Sequence, residues 1–426
     1  MKKYIIKWVL VVLLAMLSAN MILSQTSPFS RYGVGEMYNA GFGRNFAMGG
    51  TGIGVRSPYY LNNTNPASYT AMDTLSFFFE AGLKGKFQQL KLNNNSKNKH
   101  NIDIDYYAFA FPITRFLFTS VGLRLFSNTD YHFIGKRENT SVEYVGKGNI
   151  SNLYGSLGIK LSKSISLGAN VNYIFGDTKN FYNEGFSIED NYFGSKTELR
   201  INDVNFDFGA QYIFDFYKNK FIIGGTFSPQ KNIRGKSSWI TGPGSGLDND
   251  GFINIINSTD YGETDWNKKN IQIPWGFGVG ASAILNKRVT IAADFIMKNW
   301  KDFKLFDIEP KYNLENFTTA NTNYYSAGME WVPNEETGVK YFERVRYRLG
   351  VHYGNDYLKY KDKQIKDYGI SFGFGFPLRR TSTSINFTID LGTKGIDDKT
   401  VSRENYGKAI LSFTMHEYWF MKNKIR

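Results

Sequence analysis

Apolar residues alternate with small or polar residues in long runs from about residue 75 to the C-terminus. The run from Ile165 to Tyr173 reads ISLGANVNY, in which every odd-numbered residue is apolar and every even-numbered residue is Ser, Gly or Asn. A period of two is typical of a β-strand, because successive side chains point to opposite faces. The runs are too long and too numerous for a soluble sandwich. They predict a membrane barrel with apolar side chains towards lipid and polar side chains towards the lumen.

The alternation divides the chain into about 14 predicted strands, within a range of about 12 to 16. Short connections alternate with longer ones, as in outer-membrane barrels, whose short turns face the periplasm. We therefore predict an all-β, antiparallel transmembrane barrel over residues 74–420, followed by a periplasmic extension over residues 421–426. The predicted strands are residues 75–90, 101–112, 116–134, 142–161, 165–181, 196–216, 220–235, 268–285, 288–306, 322–333, 342–354, 366–377, 382–394 and 403–416.

The N-terminus has the features of a secretory signal peptide. Residues 1–3 carry two lysines, residues 5–17 are apolar apart from Lys7, small residues follow from Ser18, and Ser24 precedes Gln25. The pattern predicts that residues 1–24 are removed and that the protein is exported to the outer membrane of a Gram-negative cell. A membrane-anchor helix is the alternative for this stretch.

The composition fits an exported barrel. The chain has no cysteine, which excludes an anchor through an N-terminal lipidated cysteine, a disulfide and thiol chemistry. Aromatic residues reach 17% and the mean hydropathy is negative, as expected when only one face of each strand meets lipid. The formal charge of +13 includes three lysines of the predicted signal peptide, and the charge of about +10 that remains predicts contact with anionic lipid headgroups. Because the basic residues are dispersed and export is predicted, no binding to nucleic acid is expected.

Residues 25–73 do not alternate and are rich in glycine and other small residues. We interpret them as a compact plug, or hatch, because glycine lets backbone pack tightly in a confined lumen. A barrel of this width would otherwise be an open pore. A flexible periplasmic tail is the alternative, whereas a phosphate-binding loop is not expected, because no Gly-Lys-Ser/Thr ending follows the glycines. The residues of the predicted hatch motif are Gly49, Gly50, Gly52, Asn65, Pro66 and Ala67.

The run AMGGTG from Ala47 to Gly52, followed by Asn65-Pro66-Ala67 just before the first strand, resembles the FadL-like (OMPP1/FadL/TodX) family of outer-membrane proteins. The resemblance implies a barrel of the predicted strand number with an N-terminal hatch, and transport of hydrophobic compounds. Two further stretches, Ser27–Gly33 and Ser412–Phe420, resemble Bacteroidota members of this group. Those members include a subunit of the type 9 secretion system. The last strand departs from the usual pattern, because further residues follow Phe420.

Strand parity places several charged side chains in the predicted lumen. Arg344, Arg346 and Arg348 would form one inward row if their strand keeps its register. The row is either an anion-attracting patch beside the route of a carboxylate ligand or part of an ion-pair network that holds the hatch. The second interpretation is favoured, because buried charges need partners. The residues of the predicted lumen charge patch are Arg124, Arg344, Arg346, Arg348, Asp207, Asp294 and Asp390.

The sequence predicts no enzyme chemistry. The four histidines are far apart and lack the spacing of metal ligands. Gly244-Ser245-Gly246 is predicted to lie in a loop rather than in a strand-to-helix nucleophile turn. The stretch 248–251 offers oxygen ligands for calcium, but its Asp, Asn and Gly residues are more typical of a turn. We therefore predict no catalytic residue, no metal site and no cofactor.

Two classes of function follow from these patterns. The first is a porin-like channel for uptake of hydrophobic small molecules, with the hatch as its gate. The alternative is a non-transporting accessory barrel that binds a protein partner in secretion or assembly machinery. The predicted partners are thus outer-membrane lipid and either a hydrophobic ligand or a protein. An elongated apolar pocket in the lumen would favour the channel, and a copurifying protein would favour the accessory barrel.

Overall fold

A computed structural model gives the fold of the chain. It describes residues 27–38, 41–92, 95–137, 140–186, 192–247, 253–263, 271–303, 317–334, 336, 338–378, 381–396 and 401–419. The predicted signal peptide, residues 1–24, and the predicted C-terminal extension, residues 421–426, lie outside the described residues, as does the stretch 248–251.

Long strands make up most of the described chain. The wall strands are β1 Ser76–Leu92, β2 Asn95–Pro112, β3 Leu117–Asn128, β4 Thr140–Lys160, β5 Ile165–Phe186, β6 Tyr192–Phe216, β7 Asn219–Ser228, β8 Gly276–Leu285, β9 Val289–Lys298, β10 Thr322–Trp331, β11 Arg346–Tyr360, β12 Lys363–Pro377, β13 Ser384–Gly395 and β14 Arg403–Tyr418. The other strands are Glu36–Met37, Tyr131–Arg137, Lys231–Ile233, Gly235–Leu247, Ile253–Ile255, Asp260–Glu263, Ile271–Ile273 and Phe317–Thr319.

The helices of the described part are short. The α-helix spans Gly43–Ala47, and the 3-10 helices span Pro28–Arg31, Pro66–Ala71, Trp300–Asp302 and Tyr341–Arg344. None of the described helices combines the length and the apolar character needed to cross a membrane.

The wall is a closed antiparallel barrel of 14 strands, which confirms the predicted fold class and strand number. Each wall strand pairs with its neighbours along the chain. Strands β1 and β14 close the ring, from the pair Ser76 and Tyr418 to the pair Lys91 and Arg403. We call the end where β1 begins and β14 ends the inner end, and the opposite end the outer end. In outer-membrane barrels the end that carries both chain termini faces the periplasm.

The strands are longer at the outer end than the alternation predicts. Strands β1 and β2 continue through most of the predicted loop at 91–100, and β11 and β12 are joined by a tight hairpin at Lys361 and Asp362. Strand pairing satisfies the backbone there, and the outward face no longer has to be apolar above the lipid, so the alternation that marks a strand is lost. At the inner end, β11 begins later than predicted, because Tyr341–Arg344 forms a 3-10 helix.

The predicted faces of the strands are confirmed by exposure. Val121 and Leu123 on β3 are 47% and 37% exposed, and Phe372 on β12 is 44% exposed. Ser120 and Ser371, one residue away on the same strands, are 0% exposed. The lipid-facing side chains are therefore apolar, and the inward side chains are small or polar.

Phe374→Arg is expected to impair assembly of the barrel. Phe374 lies on the outward face of β12 and is 39% exposed, so the substitution places a cation in lipid at a cost of about 2–4 kcal/mol near the midplane. The measurement is the fraction of protein in detergent extract whose migration on a gel changes when the sample is boiled. Phe374→Leu is the matched control, and equal folded fractions for the two variants would contradict the assigned face.

Candidate functional site

The described residues between 27 and 75, here called the N-terminal segment, lie against the inward face of the wall. Near the outer end, Phe29 and Val34 are each 3% exposed and pack in one apolar cluster with Leu358 and Ile365. The guanidinium carbon of Arg31 lies 3.9 Å from the ring centroid of Tyr144. These contacts give the start of the segment a fixed place beside the outer halves of several strands.

The glycines of the motif place backbone directly against the wall. Gly49 has φ of +71° and Gly50 has φ of +92°, a region that favours glycine. The Gly49 N–H donates to Ser371 Oγ at 2.9 Å, and Tyr324 donates its hydroxyl to the Gly49 carbonyl at 3.0 Å. The Gly52 N–H donates to Asp294 Oδ2 at 2.6 Å. The turn is thus tied to three wall strands.

Asn65, Pro66 and Ala67 form the start of a 3-10 helix. Asn65 is extended, and its side chain accepts a hydrogen bond from the Ala67 N–H at 3.1 Å. Its amide donates to the Ile53 carbonyl at 2.9 Å and to the Ala210 carbonyl at 3.1 Å. One asparagine therefore caps the helix, joins two parts of the segment and contacts strand β6.

Inward glycines of the wall are the complement of this segment. A Cβ at Gly350 would lie 2.0 Å from the Gly49 nitrogen, and one at Gly328 would lie 2.4 Å from the Met48 carbonyl oxygen. A Cβ at Gly168 would lie 2.4 Å from the Pro66 carbonyl carbon. The wall and the segment are therefore in van der Waals contact, with no room for a side chain between them.

Gly350→Ala is expected to destabilise the folded protein by about 1–3 kcal/mol, because overpacking forces the segment away from β11. Gly155→Ala on β4 is the matched control, since a Cβ there meets nothing within 4 Å. The measurement is the temperature at which the heat-modifiable gel band shifts. A shift of equal size in both variants would show that the contact between Gly350 and the segment is unimportant.

Three guanidinium groups converge on Glu330 near the inner end. Arg348 Nε lies 2.7 Å from Glu330 Oε2, Arg44 Nη2 lies 2.8 Å from Oε1, and Arg346 Nη1 lies 3.8 Å from Oε1. Glu330 is 3% exposed. Because Arg44 belongs to the N-terminal segment, this cluster joins the segment to β10 and β11.

The predicted charge patch is only partly brought together. Arg346 and Arg348 lie on β11, whereas Arg344 lies in the 3-10 helix before it, so the expected row of three is wrong. The helix interrupts the strand period on which the row depended. Arg346 and Arg348 meet Glu330, which is outside the predicted patch, rather than the patch residues Asp207, Asp294 or Asp390.

The three predicted aspartates each have other neighbours. Asp294 accepts from the Gly52 and Ile53 N–H groups. Asp207 accepts from Asn172 at 2.7 Å and from Ser228 at 2.6 Å. Asp390 lies 3.3 Å from Lys408 Nζ.

A second ionic network surrounds Glu36 in the outer half. Glu36 lies 3.2 Å from Lys86 Nζ and 3.5 Å from Lys394 Nζ. Burial alone would raise the pKa of the Glu36 carboxyl, but the ammonium groups of Lys86, Lys394 and Lys408 outweigh it and lower the pKa to about 2. Lys394 also lies 2.7 Å from Asp356. The carboxylate of the segment is thus held in its charged form by the wall.

A cavity of about 130 Å³ lies between the segment and strands β3 to β9. More of its lining surface is apolar than polar. Phe208 and Trp300 contribute apolar surface, and Arg124, Asn152, Asn172 and Asp207 contribute polar groups. Pockets for small organic ligands usually have volumes of about 300–1,000 Å³ and mostly apolar walls. In the part of the chain that the structure describes, no group of three or more His, Asp or Glu side chains is arranged to hold a metal ion.

Glu330, Arg44 and Glu36 were not among the predicted site residues. Glu330 has the same strand parity as Ser326 on β10, so its inward direction was available from the sequence. Arg44 and Glu36 lie in a segment without a strand period, and nothing in their local sequence indicates which strand they contact.

The fold defines a class of outer-membrane barrel that is known from solved structures. The toluene transporter TbuX of Ralstonia pickettii aligns with a TM-score of 0.56 at 14% identity, over 88% of this chain and 98% of that chain. A FadL homologue of Pseudomonas aeruginosa aligns with a TM-score of 0.58 at 12% identity, over 90% and 99% of the two chains. The toluene transporter TodX of P. putida gives a TM-score of 0.57 at 14% identity, over 91% and 100%. At these identities the similarity establishes a FadL-like fold.

A family model described as BamG matches residues 1–426, and the chain belongs to the BamG family. No curated protein matches the sequence.

Proposed function

We propose that the protein is an accessory barrel of the outer membrane, closed by its own N-terminal segment, which holds a protein partner. The contact of the segment with the wall carries this proposal. Backbone of the segment lies against wall glycines, and its polar groups are bonded to Asp294, Ser371 and Glu330. Contacts of this kind between the segment and the wall support a structural role better than they support passage of a solute.

The cavity supports the same proposal. At about 130 Å³ it is smaller than the usual range for organic ligands, roughly 300–1,000 Å³. Membership of the BamG family adds support for an accessory role. We include in the proposal that residues 1–24 are a signal peptide and that residues 25–73 are a hatch domain.

Uptake of hydrophobic molecules is the second candidate, and the apolar cluster of the outer half favours it. Phe29 and Val34 occupy the space between Ile150, Ile174 and Leu358. If this part of the segment withdrew, it would leave an apolar chamber of the kind that a hydrophobic solute needs. The structural neighbour TodX is named a toluene transporter, which is an activity of this kind.

The test compares partner binding with uptake for the same protein. The tagged full chain is purified in mild detergent from its native host, and copurifying proteins are measured against a matched untagged strain. Uptake of a radiolabelled monoaromatic hydrocarbon is measured in cells with and without the protein. A stoichiometric protein partner without a change in uptake is the expected result. Protein-dependent uptake with no stoichiometric partner would overturn the proposal in favour of the channel.

A further inference from the structure

The wall has a break between β2 and β3 in its outer half. These strands pair from Tyr106 and Arg124 down to Pro112 and Phe118 at the inner end. Above Tyr106, residues 95–105 of β2 pair with β1 only. Among the described residues, no strand pairs with the other edge of this stretch. About half of β2 therefore presents a row of backbone N–H and C=O groups that no strand satisfies.

The opposite side of the break shows that it accepts an added strand. Glu36 and Met37 of the N-terminal segment pair antiparallel with Asn128 and Ser127 of β3. The other edge of β3 is occupied by β4, so the added strand lies on the side that faces β2. The Tyr38 N–H continues the ladder to the Phe126 carbonyl at 3.0 Å. One edge of the break is thus extended by the chain itself, and the edge of β2 is left open.

The open edge has a defined chemistry. Ile102 is an exposed apolar side chain, with 56% of its surface accessible. The Lys99 ammonium nitrogen is buried and has no hydrogen-bond partner, although the Asp130 carboxylate acts on it electrostatically. Lys97 is exposed two residues away. A buried ammonium group whose hydrogen bonds are unmade is costly, and a carboxylate within hydrogen-bond distance would satisfy it. The same lysines would repel their copies in a second barrel, which argues against pairing of two identical edges.

We propose that a partner protein adds an extended, acidic segment as a β-strand to the edge of β2 at residues 95–105. Its backbone completes the ladder, its outward side chains pack beside Ile102, and one of its carboxylates reaches Lys99. This is recognition by strand addition, in which main-chain hydrogen bonds give affinity and alternate side chains give specificity. The inference rests on the proposed accessory function and specifies where the partner binds.

Cysteine cross-linking tests the register of the added strand. The chain has no native cysteine, so Asn98→Cys, His100→Cys and Ile102→Cys each introduce one thiol on the outward face of the edge. A short thiol-reactive photo-cross-linker is attached in cells of the native host, and the linked residues are mapped by mass spectrometry. Leu391→Cys on β13 is the control, because Leu391 is 53% exposed on a strand that is paired on both sides.

The expected result is a ladder of cross-links. Each step of two residues along β2 should move the linked position by two residues within one acidic segment of one partner, and Leu391→Cys should give no such link. Scattered cross-links, links to a second copy of this chain, or links to lipid alone would overturn the proposal. Each variant is first checked for a heat-modifiable band, so that loss of folding is not mistaken for loss of binding.

Hydrogen exchange on the unmodified protein gives a second, independent measurement. Amides of residues 95–105 should exchange about tenfold or more slowly in the complex than in the protein freed of partners. Peptides from β12 should not change. Equal exchange in both samples, or protection by lipid nanodiscs without partner, would refute the docking edge. If a partner copurifies but the edge is unprotected, this inference fails and the accessory function stands; if no partner copurifies, both fail.

Discussion

Deleting residues 30–60 is expected to produce a barrel that folds and conducts ions on the order of tenfold better than the intact protein. The wall closes without this segment, because β1 pairs with β14 along the length of both strands. The deletion removes the backbone that lies against Gly328 and Gly350, and it removes Arg44. The measurement is single-channel conductance in planar bilayers, with the heat-modifiable band as the check that the barrel has formed.

The conductance experiment has a matched control in the segment itself. Asn65→Ala keeps the segment but removes the side chain that bonds the Ile53 and Ala210 carbonyls, so it should raise conductance much less than the deletion. If the deletion variant forms a barrel with unchanged conductance, the segment does not close the lumen. The proposed hatch domain would then be abandoned, and with it the gate of the transport alternative.

Glu330→Gln is expected to cost about 3–5 kcal/mol of stability, because it leaves buried guanidinium groups without their carboxylate. Glu330 lies within 4 Å of Arg44, Arg346 and Arg348, and glutamine has nearly the same volume. The effect should appear as a lower temperature for the shift of the heat-modifiable band. Conductance should also rise, since Arg44 would lose its tie to the wall.

Two variants separate the charge effect from the substitution itself. Glu336→Gln changes an exposed carboxylate in the connection between β10 and β11 and should leave the band unchanged. Adding Arg346→Gln to Glu330→Gln should recover part of the stability, because it removes one uncompensated charge. If the single variant at Glu330 matches the unmodified protein, the cluster is not what holds the segment.

The barrel was predictable from the sequence because its signal is local. Lipid on one side of each strand requires an apolar residue at every second position. The alternate residues Ile370, Phe372 and Phe374 show this pattern in the sequence. The same rule failed at Arg344, where a 3-10 helix replaces the strand. It also stopped short at 91–100, where the strands continue above the lipid and neither face needs to be apolar.

The contacts of the N-terminal segment were not predictable in the same way. The motif residues were identified from their types and spacing. Their contacts, however, join distant parts of the chain: Gly49 meets Ser371, 322 positions later in the sequence. Such pairs depend on where the closed wall brings β11 and β12, which no local pattern records. The break beside β2 is hidden for a similar reason, since residues 95–100 read as a polar loop although they form the start of a strand. The Bacteroidota origin stays a prediction.

The path of the N-terminal segment has a consequence for biogenesis. The segment begins at Phe29, which packs beside the outer halves of the strands. It then runs to Pro66, which contacts Gly168 near the inner turns, and continues directly into β1. The seam between β1 and β14 joins the first and last strands to be synthesised, so it can be made only after the whole chain has been exported. Until that moment the nascent sheet is open along one side. The sheet can therefore curl around the segment laterally, and no finished pore has to be threaded.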